Sequence, residues 1–344
     1  MVENSRSDAL GPGVTDQMVE NAITTSGYPL QLLVSSMLRE SFFLQEEWGY
    51  IDSDTRSTRT IDIVASRQLY DLKQDEPPAR IRPELHFIIE CKQSELPYIF
   101  FLSDGKPWVH HFPGIAGLKN NEIQITSDDD PATWSFDPLH LIGLDQSPFL
   151  TEAAPVCITF SKCVRKSPNL VLDGSNAYNS IMSPILKAIA HFEKVQHPPT
   201  TAYYFDCQLV IGLAVLDAPM VGVRITKTGQ ERTRLSWVRV VRRQPHEGIH
   251  KYDNSRVFGV DIVHKDYLQA YIQQHVLPFA EQFAERALRH AQVLADGKGF
   301  ISGMGSNSWT ELEERLQPSG VVTSAKRAKS ILGRITGLLI VRRN

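Results

Sequence analysis

A chain of 344 residues, 42% hydrophobic and 22% charged, has the composition of an ordinary soluble globular protein with a sizeable core. Its 36 Lys and Arg against 39 Asp and Glu leave a formal net charge of −3, which excludes a globally basic nucleic-acid binder and makes any phosphate recognition a local matter. The cysteines, Cys91, Cys157, Cys163 and Cys207, form no C-x-x-C pair, which argues against a disulfide framework or zinc ribbon and fits a reducing cytoplasm.

In chain order, residues 1–14 read as a polar lead-in ending in Gly-Pro-Gly, without the apolar core of a signal peptide. Leu30, Leu33, Val34, Met37, Leu38 and Leu44 then follow helical spacing, and predict a helix from about Pro29 to Glu47. Trp48 to Asp52 reads as a short strand. Thr58 to Ser66 alternates, with Ile61, Ile63 and Ala65 on one face and Thr60, Asp62 and Val64 on the other. Leu85 to Lys92 is a near-continuous apolar run ending in charge, the habit of a central strand. Residues 97–175 hold one clear strand, Tyr98 to Leu102, and read as an ordered insertion. A second helix is predicted over Asn176 to Lys194, capped by Ser175 and stopped by His197-Pro198-Pro199. Tyr203 to Leu216 is the next buried strand. Shorter strands are predicted at Met220 to Thr226, Leu235 to Arg242 and Val257 to Val263, and a closing helix at Lys265 to Leu294. The remaining residues, 295–344, read as a small basic appendage. No apolar run of 18 residues occurs, so no spanning helix is expected.

The chemistry concentrates at two strands. Glu90 and Lys92 are two apart on a strand and share a face, while Cys91 points the other way into the core. Charges at the end of an apolar strand are costly unless paired or used. If the Asp62 strand is a neighbour, Asp62, Glu90 and Lys92 converge. Two carboxylates hold a hard divalent cation such as Mg²⁺, and a lysine beside them can act on an attacking water or on developing phosphorane charge. The Cys91 carbonyl adds an oxygen ligand. D-x-K triplets at Asp71-Leu72-Lys73 and Asp104-Gly105-Lys106 lack the apolar strand before them. The bland reading of Glu90-Cys91-Lys92 is an ion pair at a strand end.

The segments Arg59-Thr60-Ile61-Asp62-Ile63 and Ile88-Ile89-Glu90-Cys91-Lys92-Gln93-Ser94 resemble the PD-(D/E)xK nuclease superfamily. The opening Ser26-Gly27-Tyr28-Pro29-Leu30-Gln31 is similar to the first helix of methylation-dependent restriction endonucleases and related bacterial defence nucleases. The resemblance covers residues 27–95, and extends more loosely through 176–194 and 203–216. It implies an α/β restriction-endonuclease-like fold, a mixed sheet flanked by helices, over residues 15–294, with the insertion and extra C-terminal strands and helix. It also implies Mg²⁺- or Mn²⁺-dependent hydrolysis of DNA, in restriction or antiviral defence, with Asp62 and Glu90 as metal ligands and Lys92 assisting the nucleophile. Ile61 stands where the motif has Pro. Gln31 stands where many relatives carry a glutamate; its amide oxygen can still accept a bond, and Glu40 or Glu20 are the acidic residues nearby that could substitute.

Arg224, Lys227, Arg232, Arg234, Arg239, Arg242 and Arg243 are opposed only by Glu231. They read either as a phosphate-tracking stripe, with Arg232, Arg234, Arg239 and Arg242 as its contacts, or as the solvated face of a sheet edge. The tail 325–344 is basic with interleaved Ile and Leu, suited to a partner, nucleic acid or an anionic surface, or to simple packing. His110-His111 would point to opposite faces of a strand and read as structural. Besides a nuclease, the sequence is compatible with a nuclease-fold binding module without turnover, and with a docking protein acting through its tail. An activator protein and a homo-oligomer are left open.

Overall fold

A computed structural model describes residues 9–71, 80–105, 109, 112–245, 255–304 and 311–319. His110-His111, Trp108, Trp309 and the basic tail 325–344 lie outside the described residues. Helices α1 (Asp16–Thr25) and α2 (Tyr28–Leu38) precede strands β1 (Phe43–Ile51), β2 (Thr58–Gln68), β3 (Ile81–Gln93), β4 (Tyr98–Leu102), β5 (Gly114–Ala116), β6 (Ile123–Thr126) and β7 (Trp134–Phe136). Short helices α3 (Pro138–Leu141) and α4 (Pro148–Thr151) lead to β8 (Val156–Lys166) and β9 (Asn169–Asp173). Helices α5 (Gly174–Ala177) and α6 (Ser183–Val195) are joined by a π turn, and β10 (Phe205–Asp217), β11 (Met220–Thr226), β12 (Gly229–Arg234), β13 (Trp237–Pro245) and β14 (Ser255–His264) follow. The chain continues through α7 (Leu268–Tyr271), α8 (Leu277–Arg289), α9 (Ala291–Asp296), β15 (Lys298–Ile301), α10 (Leu312–Arg315) and β16 (Leu316–Pro318).

The protein is mixed α/β. Among the described residues the strands form a twelve-stranded mixed sheet, ordered β1-β2-β3-β10-β14-β13-β8-β4-β11-β12 with β5 on β10 and β9 on β8, and a four-stranded sheet ordered β16-β15-β6-β7. At the centre β3 and β10 run parallel in unbroken register from Phe205↔Ile81 to Asp217↔Gln93. β10 is largely apolar because both its faces are covered, whereas β3 keeps one apolar face, Leu85, Phe87, Ile89 and Cys91, and carries Arg82, Glu84, His86, Glu90 and Lys92 on the other. One core layer joins Leu30, Val34 and Leu38 of α2 and Phe279 and Phe283 of α8 to Phe87, Ile89, Leu213 and Val215. The opposite layer joins Ile185 and Phe192 of α6 to Ile88, Val210 and Ala214. Gly212 in β10 is where α6 comes closest, since a Cβ there would meet Ile185 Cγ2 at 2.8 Å and Ile189 Cδ1 at 3.0 Å.

The β3–β10 ribbon does not stop at Gln93. Ser94 N–H donates to the Asp217 carbonyl, Tyr98 N–H donates to the Pro219 carbonyl, and the same two strands resume parallel pairing as β4 and β11 from Met220↔Tyr98. Because β4 also pairs with β8, the strand path returns to its own middle and the sheet is curled. Within residues 97–175, read as an ordered insertion, β4 and β8 belong to the main sheet, and β6 pairs with β15. That last pairing also ties the start of the expected 295–344 appendage to the body.

Three helices differ from expectation. The helix foreseen over 29–47 ends at Leu38, and the chain turns into β1 from Phe43, although Leu44 stays in helical phase. The helix foreseen from Asn176 starts at Gly174, with Asp173 and not Ser175 as its cap. The closing helix is interrupted at His290, between α8 and α9. Both π turns, Tyr178–Met182 and Ile272–Val276, end two residues before a proline, Pro184 and Pro278, in the first turn of the following helix. A proline crowds the carbonyl four residues back, and a widened turn accommodates it. No helix among the described residues is long and apolar enough to cross a membrane.

Candidate functional site

The antiparallel β2–β3 ladder runs from Gln68↔Glu84 to Ile63↔Ile89, and the next residues outward are Asp62 and Glu90. The two strands part there. Cys91 N–H, which has lost its ladder partner, donates instead to Asp62 Oδ2 at 2.6 Å. A strand residue's N–H and C=O leave on the same side, so the Cys91 carbonyl also faces the opening between β2 and β3. The Cys91 thiol is in the α2-side core, where burial pushes its pKa far up. Only the backbone of this residue belongs to the site.

Glu90 is buried, ion-paired to Lys92, and its second oxygen, Oε2, is buried with no hydrogen-bond partner among the described residues. Burial pushes the Glu90 pKa up to about 7, Asp62 and Glu47 add to the rise, and Lys92 opposes it. Asp62 is raised too, by burial first and by Glu47, against the Cys91 N–H bond and Lys92. Burial works to lower Lys92, but Glu90 and Asp62 more than offset it, and its pKa is raised. Tyr50, buried in the α6-side core, lies within reach of the Glu90 charge, and its phenol is raised by burial first.

Glu47 was not foreseen in the sequence. It lies on β1 opposite Asp62, between the pairs Glu46↔Ile63 and Trp48↔Ile61, with a left-handed backbone at φ 50°. The side-chain alternation slips at the same place: Ile63 and Ala65 enter the α2-side core, whereas Ile61 joins Val64 in the α6-side core. Gln31, buried on α2, bridges this irregularity, its Nε2 donating to Glu47 Oε1 at 2.9 Å and to the Asp62 carbonyl at 3.2 Å. Facing a carboxylate and a carbonyl, the amide must present its nitrogen. Gln31 thus enters the site as a donor that positions Asp62 and Glu47, not through its oxygen as expected.

Two carboxylates, Glu90 and Asp62, therefore act on one lysine, Glu47 adds its charge to both of them, and one buried carboxylate oxygen is left over. The donor set, Asp62, Glu90 and the Cys91 carbonyl, is all hard oxygen and fits Mg²⁺ or Mn²⁺ completed by water and phosphate oxygens. Among the described residues no three His, Cys, Asp or Glu side chains form a ready-made cage, so such an ion would depend on those outside ligands.

The four arginines fall into three settings. Arg239 does not fit the expected phosphate contact: it is buried in a bidentate pair with Asp261, at 2.8 Å and 2.9 Å, and donates to the Phe149 carbonyl. Tyr271 donates to the same Asp261, and the guanidinium lies 4.3 Å from the Phe112 ring centroid and 4.7 Å from that of Phe149. It is a core residue. Arg242 is exposed, 4.6 Å over the Tyr178 ring. Arg232 and Arg234 are exposed on β12, facing Val223 and Val221. Along the strand, Val221, which pairs with Arg234, follows by four residues the Asp217 that pairs with Gln93. Four strand residues span about 13 Å.

A second charge cluster is structural. Asp52, fully buried, accepts from Lys187 of α6 at 2.9 Å, Arg59 at 2.8 Å and the N–H groups of Asp54 and Thr55, which fastens the β1–β2 turn to α6. The Lys187 bond leads in holding its carboxyl down at about 2. Comparison with family models, curated proteins and solved structures finds no match for this chain.

Proposed function

We propose that the chain is a Mg²⁺-dependent nuclease of the PD-(D/E)xK kind, in a restriction-endonuclease-like fold. The observation that carries this reading is the meeting of Asp62 and Glu90 where β2 and β3 part, beside Lys92, with Glu90 Oε2 left without a partner. A bound Mg²⁺ or Mn²⁺ supplies Lewis acidity for phosphodiester hydrolysis. Asp62, fixed by Cys91 N–H, and Glu90 hold it. Lys92 keeps its proton at neutral pH and offers an ammonium to the attacking water or to charge growing on phosphorus. Gln31 and Glu47 do not touch the reacting atoms in this account; they position Asp62. Arg232 and Arg234 take the backbone of the nucleic acid beside the site, and DNA is the substrate the sequence resemblance implies.

One observation favours a second reading, a nuclease-fold binding module without turnover. The helix contributes an amide donor at Gln31 where a third acidic ligand would strengthen the site. Incubation with single- and double-stranded DNA and RNA in Mg²⁺, Mn²⁺ or chelator separates the two. The nuclease reading expects metal-dependent cleavage that Lys92→Met slows by orders of magnitude while binding persists. Binding without cleavage in every metal supports the module.

A further inference from the structure

The two N-terminal helices present an apolar surface that the described residues do not cover. None of the ten residues of α1 is buried, and Met18, Val19 and Ile23 are 56%, 37% and 56% exposed. A helix this short is marginal in water unless an apolar face is packed, and α1 buries none among the described residues. Its N-cap, Thr15 Oγ1 accepting from Met18 N–H, is too small a term to hold it alone. The following helix, α2, contains no charged residue. Its inner face, Leu30, Gln31, Val34, Ser35 and Leu38, is in the core. Its outer face is as apolar: Tyr28 is 68% exposed, Leu32 65%, Leu33 46% and Met37 38%. A helix that is apolar all round is buried all round in its working state.

At these exposures the seven residues offer roughly 700 Å² of mostly apolar surface, close to what one partner contributes to a standard stable interface and at the upper end for a monomer's largest patch. We propose that this surface is a homodimer interface, in which α1 and α2 of one copy pack against α1 and α2 of a second. The outer face of α2 has no charge with which to select a differently charged partner, and an apolar patch is complementary to itself and closes around a two-fold axis, leaving the exposed acids of α1, Asp16 and Glu20, to its solvated edge. The interface would adjoin the candidate site, since Gln31 lies on the inner face of α2 and Gln93 Nε2 donates to the Thr24 carbonyl at the end of α1. The inference stands whether or not the chain is a nuclease.

Sedimentation velocity across a wide concentration range tests it on the full chain. The expected result is a reversible dimer that Ile23→Glu with Leu32→Glu converts to monomer, with a cooperative thermal melt retained, because both positions are exposed in the protomer. A wild type monomeric at the highest concentration, or a dimer indifferent to the double variant, overturns the proposal. So does a monomeric wild type that binds vesicles of anionic phospholipid through these residues, which would make the face a membrane contact. Hydrogen exchange on the wild type gives a readout free of any variant. Amides of α1 should gain protection as concentration rises, and concentration-independent exchange there contradicts the dimer.

Discussion

Replacing Glu90 by Gln should make the metal-free protein more stable at neutral and alkaline pH. Glu90 is 6% exposed and its carboxyl is raised from 4.5 to about 7, burial being the leading cause. The unfolded chain ionises Glu90 from about pH 4.5 upward while the folded one holds its proton until about pH 7, so the folded state binds more protons in that window. Stability therefore falls as pH rises between those two values, by about 3 kcal/mol, and then levels off. Gln imitates the protonated carboxyl, so Glu90→Gln should match wild type near pH 4 and exceed it by up to about 3 kcal/mol at pH 8 in chelator. Asp62, raised in the same direction, leaves part of the pH dependence in the variant. Urea unfolding from pH 4 to pH 8, with chelator and then with millimolar Mn²⁺, measures both effects. Mn²⁺ should restore the wild type at pH 8 and leave the variant unchanged. A wild type whose metal-free stability is flat across this range, or a variant less stable than wild type at pH 8, refutes the reasoning.

Gln31→Leu removes the donor shared by Glu47 and the Asp62 carbonyl, and should cost about 1–3 kcal/mol; Gln31→Glu adds repulsion to that loss, and divalent cation should partly rescue it. A Gln31→Glu protein as stable as wild type in chelator would remove this positioning role. Arg239→Met leaves Asp261 buried with Tyr271 as its remaining side-chain donor among the described residues, so it should cost about 3–5 kcal/mol without changing the salt dependence of DNA binding. Arg232→Ser with Arg234→Ser should do the reverse, leaving the melting temperature in place and flattening the salt slope by about 2. Thermal melts beside binding isotherms at several salt concentrations check both, and an unchanged slope in the double variant returns β12 to a plain sheet edge.

What the sequence shows of this fold is what local pattern can encode. The apolar run into Glu90-Cys91-Lys92 reads as a central strand, and the same-face placement of Glu90 and Lys92 follows from strand geometry alone. The missed features depend on partners far along the chain. Arg239 reads as surface charge until Asp261, 22 residues later, is seen to pair with it. The pairing of β4 with β11 is not legible because Tyr98 and Met220, which align them, are far apart in sequence. Glu47 joins the site through a left-handed residue and a slip in alternation opposite Asp62, and periodicity is blind to such a local break. The helix overran to Glu47 because Leu44 keeps the helical phase across a turn that no Pro or Gly announces.

The central claim is that Asp62 and Glu90 together hold one divalent cation. Titration of Mn²⁺, with the free ion read by electron paramagnetic resonance, tests it without any substrate. The account predicts one site in the wild type, retained in Lys92→Met and weakened by about tenfold or more in both Asp62→Asn and Glu90→Gln. Equal Mn²⁺ binding in all four proteins, or none in the wild type at millimolar ion, would contradict it.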